Sequence, residues 1–186
     1  LFFLKSRVNT EEWRVYHTLG PTANTFLYLN TTDSKLDSGY AVPTTSVFNK
    51  ADDNGENMIA YCWHSVPGYS EIGSYEGNNN VDGPFVYCGF RPAWVLIKNN
   101  TGAGGNWIIY DSSRKSTNIN GQRLGANLAD SENQDNSNLG TSTDEGIDML
   151  SNGFKIRTLG PNHNTDGETY IFMAFAESPF QTANAK

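Results

Sequence analysis

Apolar and polar positions alternate along this chain in short runs, and no window sustains the i, i+3, i+4, i+7 spacing of an amphipathic helix. Phe154-Lys155-Ile156-Arg157-Thr158 alternates with period two, the pattern of a strand with one face buried. Phe26–Leu29, Met58–Trp63, Trp94–Lys98, Trp107–Tyr110 and Tyr170–Phe175 are short runs rich in aromatic and β-branched residues, bounded by Gly, Asn and Asp. Asn54-Gly55, Asn152-Gly153 and Asp166-Gly167 stand immediately ahead of such runs, where residues able to take positive φ turn the chain. Ile72–Tyr75 and Phe85–Cys88 flank the Gly/Asn-rich stretch 76–84 and read as a further hairpin, within a connecting segment 70–91. The expected class is all-β: an antiparallel β-sandwich or jelly roll, since a parallel sheet would need helical crossovers.

The chain also repeats. Leu4-Lys5 with Trp13-Arg14-Val15-Tyr16 returns as Ile97-Lys98 with Trp107-Ile108-Ile109-Tyr110, and 94 positions separate the two tryptophans. Asn54-Gly55-Glu56 with Met58–Trp63 returns as Asp166-Gly167-Glu168 with Tyr170–Phe175, at a spacing of 112. The difference implies an insertion in the second copy, and the polar stretch near 130–143 is where it fits. The expected organisation is two related tandem repeats, 1–92 and 93–186, the first entered mid-module at a strand. A single larger sandwich with each copy supplying part of the sheets is the alternative.

Composition narrows the function classes. The 186 residues carry 13 Lys+Arg against 20 Asp+Glu, a net charge of −7, with only 18% charged residues. Nucleic-acid binding needs clustered cations to displace phosphate counterions, and no such cluster exists. No apolar run reaches the length of a membrane span. No nucleophile elbow, P-loop or dinucleotide fingerprint is present, and His17, His64 and His163 fall in no metal-ligand spacing, so no catalytic residue, cofactor or metal site is assigned. Asp130, Glu132, Asp135, Asp144, Glu145 and Asp148 read first as a solvated acidic loop, with a Ca²⁺ loop or a glycosidase carboxylate pair as alternatives that lack a specific spacing. Cys62 and Cys88 fit two buried small hydrophobes, with a disulfide open if both face inward. Tyr69 and Tyr75, beside Gly-rich turns, are the candidate exposed rings for contact with a glycan or receptor, whereas Trp13, Trp63 and Trp107 sit in strand runs and belong to the core. Asn30-Thr31-Thr32 and Asn99-Asn100-Thr101 match the N-glycosylation sequon.

The stretches Gly73-Ser74-Tyr75, Asp82-Gly83-Pro84-Phe85-Val86-Tyr87, Gly89-Phe90-Arg91-Pro92-Ala93-Trp94-Val95-Leu96-Ile97-Lys98 and Asn106-Trp107-Ile108-Ile109-Tyr110-Asp111, with the ending Tyr170–Phe180, carry a resemblance across nearly the whole chain. They resemble a tandem-repeat β domain of tailed-bacteriophage virion proteins, mostly of marine phages. That resemblance implies a non-enzymatic structural protein on the particle surface, in a tail fibre or host-attachment appendage or in a capsid decoration or head fibre. Its implied partners are other virion proteins in a homo-trimer or lattice, and a host-surface glycan. A lectin-like glycan-binding module is the alternative function, and a polysaccharide depolymerase the lower one.

Overall fold

The computed structural model describes residues 1–17, 25–37, 57–102, 104–130 and 146–179. Among them every regular element is a strand, and every pairing is antiparallel. The first sheet holds β1 (Phe2–Ser6), β2 (Arg14–Tyr16), β3 (Thr25–Tyr28), β4 (Leu36–Asp37) and β5 (Met58–Cys62), in the order β4-β3-β2-β1-β5. The middle sheet holds β6 (Ser70–Glu76), β8 (Pro92–Asn99), β9 (Ile108–Asp111), β10 (Arg123–Gly125) and β13 (Thr169–Ala176), in the order β10-β9-β8-β13-β6. The third sheet holds β7 (Phe85–Tyr87), β11 (Ile147–Leu150) and β12 (Gly153–Ile156), with β12 central. No helix among the described residues is long and apolar enough to cross a membrane.

Two of the three buried clusters explain the two kinds of strand sequence, the third being Phe2, Leu4 and Tyr16 on the opposite face of the first sheet. On the middle sheet, Leu96, Ile171 and Met173 face the first sheet and pack with its Phe3, Val15 and Leu27. Their neighbours Val95, Ile97, Tyr170, Phe172 and Ala174 face the other way, onto Val86, Met149, Phe154 and Ile156 of the third sheet. A strand covered on both faces has no place for alternation, and β8 and β13 are accordingly apolar almost throughout. β12 is covered on one face, so Phe154 and Ile156 are buried while Lys155 and Arg157 reach outward to Asp82.

The segment 70–91 is not the expected hairpin. β6 pairs along its whole length with β13, from Glu76 opposite Thr169 to Ser70 opposite Phe175, while β7 pairs with β12 in another sheet. A strand that finds seven partners on β13 gains more ladder than one folded back on a three-residue neighbour. Both strands therefore join the second half of the chain. The halves themselves are not separate sandwiches: the first sheet and the middle sheet share one core.

Pairings recur between these two sheets at matching positions. Leu4 lies opposite Ala60, and Ile97 opposite Phe172. Phe3 lies opposite Val15, and Leu96 opposite Ile109. The Trp13 N–H donates to Asn30 Oδ1 at 3.0 Å, and the Trp107 N–H to Asn127 Oδ1 at 2.9 Å. The Lys5 ammonium donates to the Glu11 carbonyl, as the Lys98 ammonium does to that of Gly105. The turn Asn152-Gly153 links β11 to β12 as expected, and Gly167 takes positive φ (71°) ahead of β13. Asn54-Gly55 and residues 131–143 of the proposed insertion lie outside the described residues.

Candidate functional site

The interior polar groups are occupied in holding loops. Tyr75, a candidate contact residue by sequence, is instead a core ring at 9% exposure, stacked on Tyr170 with centroids 5.1 Å apart. Period two puts it on the face of β6 that meets the third sheet, and its hydroxyl donates to the His163 carbonyl at 2.8 Å. The Tyr110 hydroxyl lies 2.9 Å from His163 Nε2, and burial pushes that imidazole's pKa down to about 3. His17 is buried beside Asn100 Oδ1 at 3.2 Å, with its pKa pushed down to about 4, chiefly by desolvation. Both rings are neutral near pH 7 and brace structure, in keeping with the structural role expected of the histidines.

Asparagine does much of the loop bracing, since its amide can both donate to and accept from backbone. Asn164 accepts the Asn78 N–H and donates to the carbonyls of Asn80 and Thr158. Asn162 accepts the Asn106 N–H at 2.7 Å. Asn99, the first residue of a sequon, is buried and donates to the Pro161 carbonyl and to Glu168 Oε2, so a glycan has no access to it in the fold. Lys98 is fully buried: its ammonium donates to the carbonyls of Thr32 and Gly105 and lies 5.9 Å from the Trp107 ring centroid, and desolvation lowers its pKa to about 8. An apolar cleft lined by Leu1, Ile72, Leu96, Trp107 and Met173 lies between the first two sheets, with the His17 side chain also on its wall.

One group of outward rings lies at the β5 end of the first sheet, and a second exposed pair, Phe85 and Tyr87, lies on β7 of the third. Trp13, Tyr61 and Trp63 share the face of Phe3 and Val15 by alternation, but the core closes over Phe3, Val15 and Leu27 and leaves Tyr61 at 42% exposure. The Tyr61 ring centroid lies 6.1 Å from that of Trp13 and 6.2 Å from that of Trp63. Phe3 props Trp63 from below in an edge contact at 4.8 Å. The result is a three-ring ledge with a half-buried tryptophan at each end, a surface that suits the C–H face of a sugar or an apolar side chain. Trp107, by contrast, is buried as expected, its indole N–H donating to the Tyr28 carbonyl at 2.7 Å.

Tyr69 is exposed, as expected of a contact residue, and packs edge-on against Phe175 at 6.0 Å, away from the ledge. Sequence reasoning missed Tyr61 because Met58–Trp63 reads as an interior strand, and nothing local to it says that the run lies at a sheet edge. Cys62 and Cys88 are both free thiols. Cys62 is exposed on β5, while Cys88 is buried after β7 against the other core, its pKa pushed up to about 12 by desolvation. Among the described residues no three His, Cys, Asp or Glu side chains are placed to hold a metal ion. Asp148 is paired with Arg157 at 3.3 Å, whereas Glu132, Asp135, Asp144 and Glu145 lie outside the described residues.

No curated protein and no solved structure matches the chain. The model of one family, a domain of unknown function designated DUF7483, matches residues 1–179, a span that takes in the ledge and all three sheets. The chain belongs to the DUF7483 family, whose model matches across both halves of the fold.

Proposed function

We propose that this domain is a non-enzymatic structural and attachment module of a bacteriophage particle, carried at the virion surface in a tail fibre or host-attachment appendage, or in a capsid decoration or head fibre. The observation that carries the reading is the division of labour among side chains. Buried polar groups such as Lys98, Asn99, His163 and Asn164 are spent on fixing loops, while aromatic rings, the Trp13–Tyr61–Trp63 ledge among them, are presented outward on a rigid body. Such a body presents a surface without reorganising, and many copies on one particle convert weak contacts into avidity. The matched pairings and matched Asn and Lys braces in the first and middle sheets further support two related tandem repeats as the origin of the fold. The resemblance to virion proteins supplies the setting. Antibody raised against this chain should label intact particles of a phage that encodes it, at tail or head, in electron micrographs. Unlabelled particles would overturn the assignment.

A lectin-like role is the second reading, and the Trp13–Tyr61–Trp63 ledge favours it. On a glycan array Tyr61→Ala should abolish binding, because the central ring of the ledge is lost, whereas Tyr69→Ala should leave it intact. Binding that survives Tyr61→Ala dismisses the ledge as a glycan platform.

A further inference from the structure

Trp13 and Trp63 flank Tyr61 at nearly equal steps, 6.1 and 6.2 Å between centroids, with ring planes inclined to that of Tyr61 by 31° and 19°. These steps are well beyond the roughly 3.5–4.0 Å that separates surfaces in face contact, so the rings are offset sideways rather than piled on one another. Each ring therefore keeps part of a face for a ligand. One step is about the length of one sugar unit in an extended chain, so successive units of a glycan meet successive rings. The ledge is a surface and not a pocket: none of its three rings lines the cleft between the first two sheets. It can support the middle of a chain, and it has nothing with which to enclose an end.

Charge narrows the class of glycan. Lys5, opposite Ile59 on that face, gives its ammonium to the Glu11 carbonyl, and Arg14 pairs with the Glu11 carboxylate at 3.5 Å. Arg7 and Glu12, exposed nearby, are opposite in sign. An anionic polysaccharide repeats its charge along the chain and needs a row of cations, as does a single strand of nucleic acid stacked on aromatic rings. The ledge offers a row of rings without a row of cations. A polar group for a sugar hydroxyl is nevertheless fixed at one end. Exposed Asn30 accepts the Trp13 N–H on Oδ1 at 3.0 Å, which holds its amide beside the indole, and its Nδ2 has no partner among the described residues.

We propose that the ledge binds an internal stretch of a neutral, unbranched polysaccharide, about three sugar units long with one unit on each ring, while Asn30 Nδ2 donates to a hydroxyl of the unit on Trp13. The assignment rests on the lectin-like reading and adds to it the class of glycan. A branch would lift the C–H face of a unit off its ring, and a charged unit would meet no matching row of opposite charge.

Affinity electrophoresis through gels that each contain one linear polysaccharide tests the class directly, with β-glucan, mannan, galactan and xylan as neutral probes and alginate and polygalacturonate as anionic ones. At least one neutral gel should retard the wild-type chain and leave Tyr61→Ala unretarded, with the circular dichroism of the two chains alike. Soluble fragments of that polysaccharide should then compete: a single unit hardly at all, longer fragments increasingly, levelling off once all three rings are covered. Reducing the terminal unit to its alditol should not change competition by the longer fragments, because no chain end is read. Asn30→Asp keeps the acceptor for the Trp13 N–H and removes the donor, so it should fold as wild type and bind about fivefold more weakly, the loss of one hydrogen bond of about 1 kcal/mol. Should Tyr61→Ala fail to fold, this variant decides in its place. Retardation by anionic gels alone, or a single unit that competes as well as the long fragments, would overturn the proposal and leave the lectin-like reading standing. No retardation in any gel would overturn both.

Discussion

Burial of single side chains decides most of the chemistry left in this molecule. His17 and His163 are held neutral, with pKa values near 4 and near 3 against about 6.5 in an unfolded chain. Below the unfolded value, the unfolded chain takes up protons that the folded one refuses, so stability falls as pH drops from about 6.5 toward 4. Each histidine contributes a slope of up to about 1.4 kcal/mol per pH unit in that window. Melting temperature measured between pH 7 and 4.5 should therefore fall steeply, and the slope should flatten in a His17→Gln variant. A slope unchanged by that substitution would show that carboxylates govern the acid limit. No motif in the sequence announces these shifts, because desolvation depends on what covers the ring rather than on its neighbours in the chain.

At the scale of elements, a strand's sequence reports how many of its faces are covered, and this was readable: β8, β9, β12 and β13 all fall where apolar runs or alternation place them. β10 and β11 carry no comparable signal. They are three and four residues long, and each is fixed by a neighbouring strand rather than by its own pattern. Partner choice was less legible still, as the splitting of β6 and β7 between two sheets shows. Close packing of β6 on β13 turns on Gly73, where an added Cβ would lie 2.6 Å from the Phe172 ring. Gly73→Ala should destabilise the fold by about 1–3 kcal/mol through overpacking, measurable by urea denaturation. A neutral result would mean that the Phe172 ring can withdraw into the core.

For the whole molecule, the question is whether the halves act as two bodies or one. The core holding Phe3, Val15 and Leu27 against Leu96, Ile171 and Met173 belongs to both halves at once, and separating them would bare apolar surface on each. Lys98 in the second half also donates to the Thr32 carbonyl in the first. Calorimetry should accordingly show one transition, with the calorimetric enthalpy equal to the van't Hoff value. Two resolved transitions would restore the picture of independent tandem units.

What the sequence determined by itself is local: the all-β strand class from period two and short apolar runs, and the turns at Asn152-Gly153 and Asp166-Gly167. These follow from properties of adjacent residues, which the chain carries into any environment. What only the tertiary structure decided is which face or edge each strand leaves uncovered. Tyr75 and Tyr61 are both strand tyrosines, yet one is sealed between two sheets and the other lies open on a ledge. Their difference comes from layers contributed by residues distant in the chain. The candidate site depends on the same thing, because Tyr61 lies open beside half-buried Trp13 and Trp63 while Trp107, in a similar strand run, is sealed in the core.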